Sequence, residues 1–246
     1  MTHEEHQWYS PQLGQDMTLR VYGHSGKPII VFPCQGGRYF EYQDFGMTEV
    51  LRPWLDTGKI QLFAVDSVDN QSWCNQSIHP YDRAQRHEAY DRYIMQEVIP
   101  FIKGYSTEKI CTTGCSMGGY HTANFFFKHP DVFDSMISIS GIFRLNMFIG
   151  DYSDETVYFN TPLAYLSNMN DEKYLNQYRD SKIFICVGQG AWEDEMLEDT
   201  YSMMNILHDK SIPAVIDIWG HDVNHDWEWW RKMVPHMMGQ LIPVAV

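Results

Sequence analysis

Apolar and polar positions along this chain follow two alternating rhythms. Short apolar runs give way to longer stretches in which apolar residues recur at helical spacing. "MTLRVYG" and "PIIVFPC" read as two strands joined around Gly23–Gly26 in a hairpin-like opening, and "IQLFAVDS" as a third strand. "DRAQRHEAYDRYIMQEVIPFIKGY" reads as a long helix with Tyr90, Ile94, Val98 and Phe101 along one stripe. "KICTTGCS" is a fourth strand running into a glycine turn, "GGYHTANFFFKH" a helix stopped by Pro130, and "SMISISG" a fifth strand. Strand "KIFICVG", helix "EDEMLEDTYSMMNILHDK", strand "AVIDIWG" and a helix through "WEWWRKMVPHMMGQL" complete the series. Residues 142–180 break the rhythm. They are polar and rich in Asn, Asp and Tyr, as expected of a functional loop or a lid-like insertion.

Strand–helix alternation with short connections implies an α/β fold with a mostly parallel central sheet, flanked by helices on both faces. Without an internal repeat, linker or low-complexity segment, residues 1–246 read as one domain. In such sheets the chemistry gathers at the carboxyl ends of the strands.

Composition narrows the function classes. A net charge of −14 argues against nucleic acid, which needs clustered Lys and Arg, and against an anionic membrane surface. No apolar run approaches the length of a membrane helix, and the polar start "MTHEEHQWYS" lacks the marks of a secretory signal, so a cytoplasmic location is expected. The five cysteines form no C-x-x-C pair, which leaves neither a disulfide framework nor a zinc knuckle in view.

The most specific feature is "GCSMG", residues 114–118. G-x-S-x-G arises by chance about 0.1 times in a chain this long, and here it also closes a buried strand and opens a helix. That context lifts a serine oxygen clear of the sheet. Cys115 is a rival nucleophile, but the same frame centred on it would need glycines where Thr113 and Met117 stand. Serine needs a base oriented by a third group, and the chain order for this kind of elbow is Ser, acid, His. After "KIFICVG", "QGAWEDE" offers Glu193, Asp194 and Glu195; after "AVIDIWG", "HDVNHDWEWW" offers His221 and His225. The histidine pair, with Asp222 and Asp226, lacks the H-E-x-x-H pattern of a metal site, and no metal is expected.

With the elbow, "GQGAWED" and "HDWEWW" in place, the chain resembles the esterase family of α/β-hydrolases that includes S-formylglutathione hydrolases, feruloyl esterases, enterochelin esterases and secreted mycolyltransferases. The resemblance runs from "PIIVFPC" to the last helix. Its most specific part is a histidine followed by x-Trp-x-x-Trp, here His225, Trp227 and Trp230, which selects His225 over His221 as the general base. The acid departs from the pattern of many family members, which would place an aspartate at Ala191. The mycolyltransferase-like pattern points to Asp194, with Glu193 second.

The resemblance implies an α/β-hydrolase fold and a cofactor-free serine esterase acting on a small-molecule ester through Ser116, His225 and Asp194. The oxyanion hole would take the N–H of Met117 and a second N–H from "CQGGRYF", assigned to Gln35. Arg38, Tyr39 and Trp73 are expected to line the substrate pocket. Two other readings stand beside this one: an acyltransferase with the same triad, and a hydrolase-like scaffold that only binds. The acyl and alcohol parts of the substrate and the oligomeric state are not legible in the sequence.

Overall fold

A computed structural model of the protein describes residues 3–244. Eight strands form one sheet: β1 (His3–Ser10), β2 (Gln15–Tyr22), β3 (Lys27–Phe32), β4 (Ile60–Val65), β5 (Ile110–Cys115), β6 (Phe133–Ile139), β7 (Lys182–Val187) and β8 (Val215–Ile218). Their order is β1-β2-β4-β3-β5-β6-β7-β8, with β1 and β2 antiparallel at one edge and β3 to β8 all parallel. From β3 the chain moves outward to β4, then returns to place β5 on the other side of β3. The carboxyl ends of β3 and β5 therefore flank the point where the winding reverses, the crevice in which doubly wound sheets bind ligands.

Two elements depart from the sequence reading. β2 and β3 are not a hairpin, because β4 lies between them and pairs with both. Both faces of β3 are buried, so it needs strands at both edges, and the turn at Gly23–Gly26 spans β4 instead. The real hairpin is β1 with β2. β1, "HEEHQWYS", escaped detection because it is an exposed edge strand without an apolar run. Trp8 anchors it, stacking on Phe101 at 5.7 Å and donating from its indole to Glu97 at 2.7 Å.

The long helix also has a fault in it. Pro80–Tyr93 is α-helical, Ile94–Val98 forms a wider π turn, and Ile99–Lys103 resumes the α form. Pro100 has no N–H to donate and its ring would strike the carbonyl of Gln96 in a regular helix, so the π turn falls immediately before it.

Alternate strand residues feed two cores, as a period of two requires. Ile30, Phe32, Phe63 and Val65 face a layer with Tyr90, Phe125 and Phe126; Ile29, Val31, Leu62 and Ala64 face Trp54, Met233, Val234 and Met237. Residues 142–180 are not an open loop. They fold into four short helices, Asn146–Ile149, Glu155–Tyr158, Pro162–Ser167 and Glu172–Arg179, and pack Leu163, Leu166, Leu175 and Tyr178 into the first core. Their polar residues do local work: Asp154 accepts from the N–H of Val157 at 2.8 Å and Asp171 from that of Lys173 at 2.8 Å, capping two of these helices.

Phe125 lies flat on Phe32 with ring centroids 4.9 Å apart, joining the Met117–Lys128 helix to β3 at full burial. Phe125→Ala is expected to cost about 3–5 kcal/mol in equilibrium denaturant unfolding. A loss below about 1 kcal/mol would mean that this contact does not hold the helix on the sheet.

Candidate active site

The site begins at the end of β5. Ser116 leaves the strand with φ 57° and ψ −122°, a left-handed conformation uncommon for a residue with a Cβ. Its N–H donates to the carbonyl of Ile139 at 2.9 Å, and its own carbonyl accepts from Gly119 and Tyr120, starting the Met117–Lys128 helix. The flanking glycines follow from distance. A Cβ on Gly114 would lie 2.6 Å from the carbonyl carbon of Gly118 and 2.7 Å from the oxygen of Phe32; one on Gly118 would strike the carbonyl oxygens of Phe32 and Pro33. The helix start can come this close to β3 and β5 only where side chains are missing.

The histidine comes from the loop after β8. Nε2 of His225 lies 2.8 Å from Oγ of Ser116 across 109 residues of sequence. On the other side of the ring, Nδ1 lies 3.3 Å from Oε2 of Glu193, which is fully buried. Glu193 is anchored in turn: Ser140 donates from Oγ to its Oε1 at 2.6 Å, and the indole N–H of Trp230 donates to Ser140 Oγ at 3.2 Å. Trp230 also sets its ring perpendicular to His225 at 4.9 Å. The two tryptophans of the histidine motif thus have separate duties, since Trp227 stacks on Phe45 at 4.7 Å and braces Trp230 at 5.2 Å.

Backbone bonds lace the two loops together. His225 donates to the carbonyl of Ala191 at 3.0 Å, Gly190 to that of Val223 at 2.8 Å, and the N–H of Ala191 to the side chain of Asn224 at 2.8 Å. Gly188 and Gly190 permit this, because a Cβ on either would run into Val223.

The loop after β3 closes the site. Cys34 donates its N–H to Oε2 of Glu41 at 2.8 Å, and Gly36 takes a positive φ of 71°. Burial pushes the Glu41 carboxyl above its usual range, and the bond from Cys34 partly offsets that. Gln35 and Met117 both border the Ser116 pocket, and among the described residues no hydrogen bond uses either backbone N–H. Met117 is the first residue of its helix, where an N–H has no partner within the helix.

The structure brings Ser116, His225, Met117 and Gln35 together, and sets Glu193 rather than Asp194 beside the histidine. Asp194, the first choice, is exposed at the start of the Asp194–Asp209 helix and makes no bond to His225. Glu193, one residue earlier, occupies that place. Trp192 has a left-handed φ of 68°, a reversal that accompanies the inward course of the Glu193 side chain. Cys115 is fully buried, and burial pushes its thiol well above the ordinary value, which removes the thiolate a cysteine nucleophile needs.

The structure places the three expected pocket residues outside the wall of the Ser116 cavity. Arg38 is held by Asp66 through Nε at 2.6 Å and Nη2 at 3.0 Å, away from the cavity. Tyr39 donates its backbone N–H to the same carboxylate at 3.2 Å, with its ring near the guanidinium groups of Arg20 and Arg38. Trp73 is buried in a cluster behind Met117 and Tyr120. The cavity at Ser116, about 420 Å³, is instead walled by Ile142, Met147, Phe148, Trp192, Glu195 and Met196. Five of these come from the short helix Asn146–Ile149 and the segment beginning at Trp192, and neither periodicity nor motif spacing marks them.

An eight-stranded sheet with a serine at a strand-to-helix turn, faced by a histidine and a buried acid, defines the α/β-hydrolase class. The chain belongs to the family described as "Putative esterase", whose model matches residues 10–241, and the protein is an esterase. A search of curated sequences finds no match. Solved structures with the same fold include a ferulic acid esterase (14% identity, TM-score 0.75, 98% of this chain and 96% of that one). Others are the fluorophosphonate-binding serine hydrolase F of Staphylococcus aureus (18%, 0.69, 98% and 98%) and an S-formylglutathione hydrolase from Agrobacterium tumefaciens (14%, 0.72, 97% and 93%).

Gly118→Ala probes the close approach that shapes the elbow. The substitution is expected to destabilise the protein by at least about 1–3 kcal/mol, the usual cost of overpacking, read as a lowered thermal midpoint. An unchanged midpoint would show that helix and strand do not depend on that contact.

Proposed function

We propose that the protein hydrolyses carboxylic esters through an acyl-enzyme on Ser116, with His225 as general base and Glu193 as the acid that orients it. The contact of 2.8 Å between Ser116 Oγ and His225 Nε2 carries this reading. A serine held in a strained turn, with a ring nitrogen at hydrogen-bond distance and a buried carboxylate behind that ring, is the arrangement that activates a hydroxyl.

Ser116 Oγ attacks the ester carbonyl carbon as His225 Nε2 takes its proton. The oxygen that gains charge is held by the N–H groups of Met117 and Gln35, at the positive end of the Met117–Lys128 helix. His225 returns the proton to the departing alcohol as the C–O bond breaks. Water, deprotonated by His225, then attacks the acyl carbon and releases the acid and Ser116. Glu193 keeps the ring tautomer with Nε2 free and stabilises the imidazolium. Its anchorage through Ser140 and Trp230 holds the carboxylate in place during both halves of the cycle. One oxyanion donor is worth about 2.7–4 kcal/mol and base catalysis about 10²–10⁴-fold.

Hydrolysis of p-nitrophenyl acetate and butyrate by the wild type, Ser116→Ala and His225→Ala tests the reading. Both variants are expected to lose at least about 10⁴-fold in kcat while remaining folded. Unchanged turnover by Ser116→Ala would remove the serine from the mechanism.

The assignment of the acid is tested separately. Glu193→Gln is expected to lower kcat by about 10³–10⁴-fold, and Asp194→Asn to stay within about twofold of wild type. The opposite ranking would return the role to Asp194.

A further inference from the structure

Two side chains at the opening of the Ser116 cavity make no side-chain hydrogen bond or ion pair among the described residues. Trp192 is 82% exposed, and among the described residues it makes no ring contact. It occupies a left-handed turn that Gly or Asn would fill at lower cost. Glu195, three residues on, lines the same cavity, is exposed, and forms no ion pair or hydrogen bond among the described residues. Glu195 and His225 are the ionisable side chains of the wall; none of the chain's 18 Lys and Arg residues contributes to it. Arg144 borders an adjoining hollow together with Glu195. Arg144 is paired with Glu198 and Asp199, and Arg38 with Asp66. Apart from Ser116 and Gln35, the remaining wall is apolar: Met117, Ile142, Met147, Phe148 and Met196.

An indole and a carboxylate on one cavity wall, with the neighbouring Arg144 already neutralised by two carboxylates, attract an organic cation twice over. The ring quadrupole presents its negative face and the carboxylate adds a full charge. The same pair repels an anion. Trp192 and Glu195 share the cavity wall with His225, and His225 hands its proton to the leaving group, so a charge carried on the alcohol part lies within their reach.

We infer that Trp192 and Glu195 are specificity residues that select esters whose alcohol part carries a positive charge, and that discriminate against anionic ones. The inference rests on the serine-esterase reading above. Recognition leaves the chemistry of the acyl transfer unchanged and acts on capture of the alcohol part. An exposed ion pair and an exposed cation–π contact together are worth about tenfold in kcat/KM.

The test uses three butyryl thioesters matched in size, with release of the thiol as readout: butyrylthiocholine, its neutral 3,3-dimethylbutyl analogue, and the butyryl thioester of 3-mercaptopropanesulfonate. The wild type is expected to prefer the cationic over the neutral substrate by about tenfold, with the sulfonate slowest. Glu195→Gln and Trp192→Ala should each reduce the cationic-to-neutral ratio to about threefold, and Glu195→Lys should move the sulfonate ahead of butyrylthiocholine. Turnover of the neutral thioester with no preference for the cation, or a ratio that the variants leave unmoved, would overturn the inference while leaving the esterase intact. A wild type that turns over none of the three and is not labelled at Ser116 by a fluorophosphonate would overturn both.

Discussion

The close approach of the Met117–Lys128 helix to β3 and β5 is the constraint on which the rest of the site depends. It brings Gly114 and Gly118 into contact with each other and with the Phe32 carbonyl, leaving no space for a Cβ at either position. With helix and strands so near, the residue between them must turn sharply, and Ser116 does so at a positive φ. That turn aims Oγ out of the sheet and leaves the N–H of Met117 at the helix start. Stacking of Phe125 on Phe32 and the bond from Ser116 N–H to Ile139 hold the strained turn in place. Two cores pressing on the sheet from opposite faces supply the burial that offsets the local strain.

Around that fixed point the other parts arrive on loops from strand ends. β3 brings Gln35, β7 brings Glu193 and β8 brings His225, all at the carboxyl edge of the sheet. The loops are not left to find their own positions. Asn224 and Val223 bind the acid loop to the histidine loop, while Glu41 fixes the start of the Gln35 loop. Trp230 reaches both of the serine's partners in the site, touching His225 directly and Glu193 through Ser140. A rigid surround of this kind holds reacting groups in position without reorganisation at the moment of reaction.

The parallel strands were legible because each is a short segment rich in apolar residues and bounded by turn residues, as in "IQLFAV" and "KIFICV". β1 was not, since an exposed edge strand carries no apolar signature, and the position of β4 between β2 and β3 is a pairing that no local pattern encodes. Ser116 and His225 were legible because glycines and tryptophans at fixed spacing accompany them. The choice between Glu193 and Asp194 was not, because adjacent carboxylates look alike until the turn at Trp192 sends one inward and leaves the other at the helix start. The cavity wall was least legible. Met147, Phe148, Trp192 and Glu195 meet only in three dimensions, and Arg38, a natural candidate by position, is held by Asp66.

The covalent intermediate is the most direct test of this account. The protein would be mixed with p-nitrophenyl butyrate, quenched in acid within the first turnover, digested, and its peptides mapped by mass spectrometry. The account predicts a butyryl group on the Ser116 hydroxyl in the wild type and none at that position in Ser116→Ala. A butyryl group on another residue during productive turnover, with Ser116 unmodified, would contradict it.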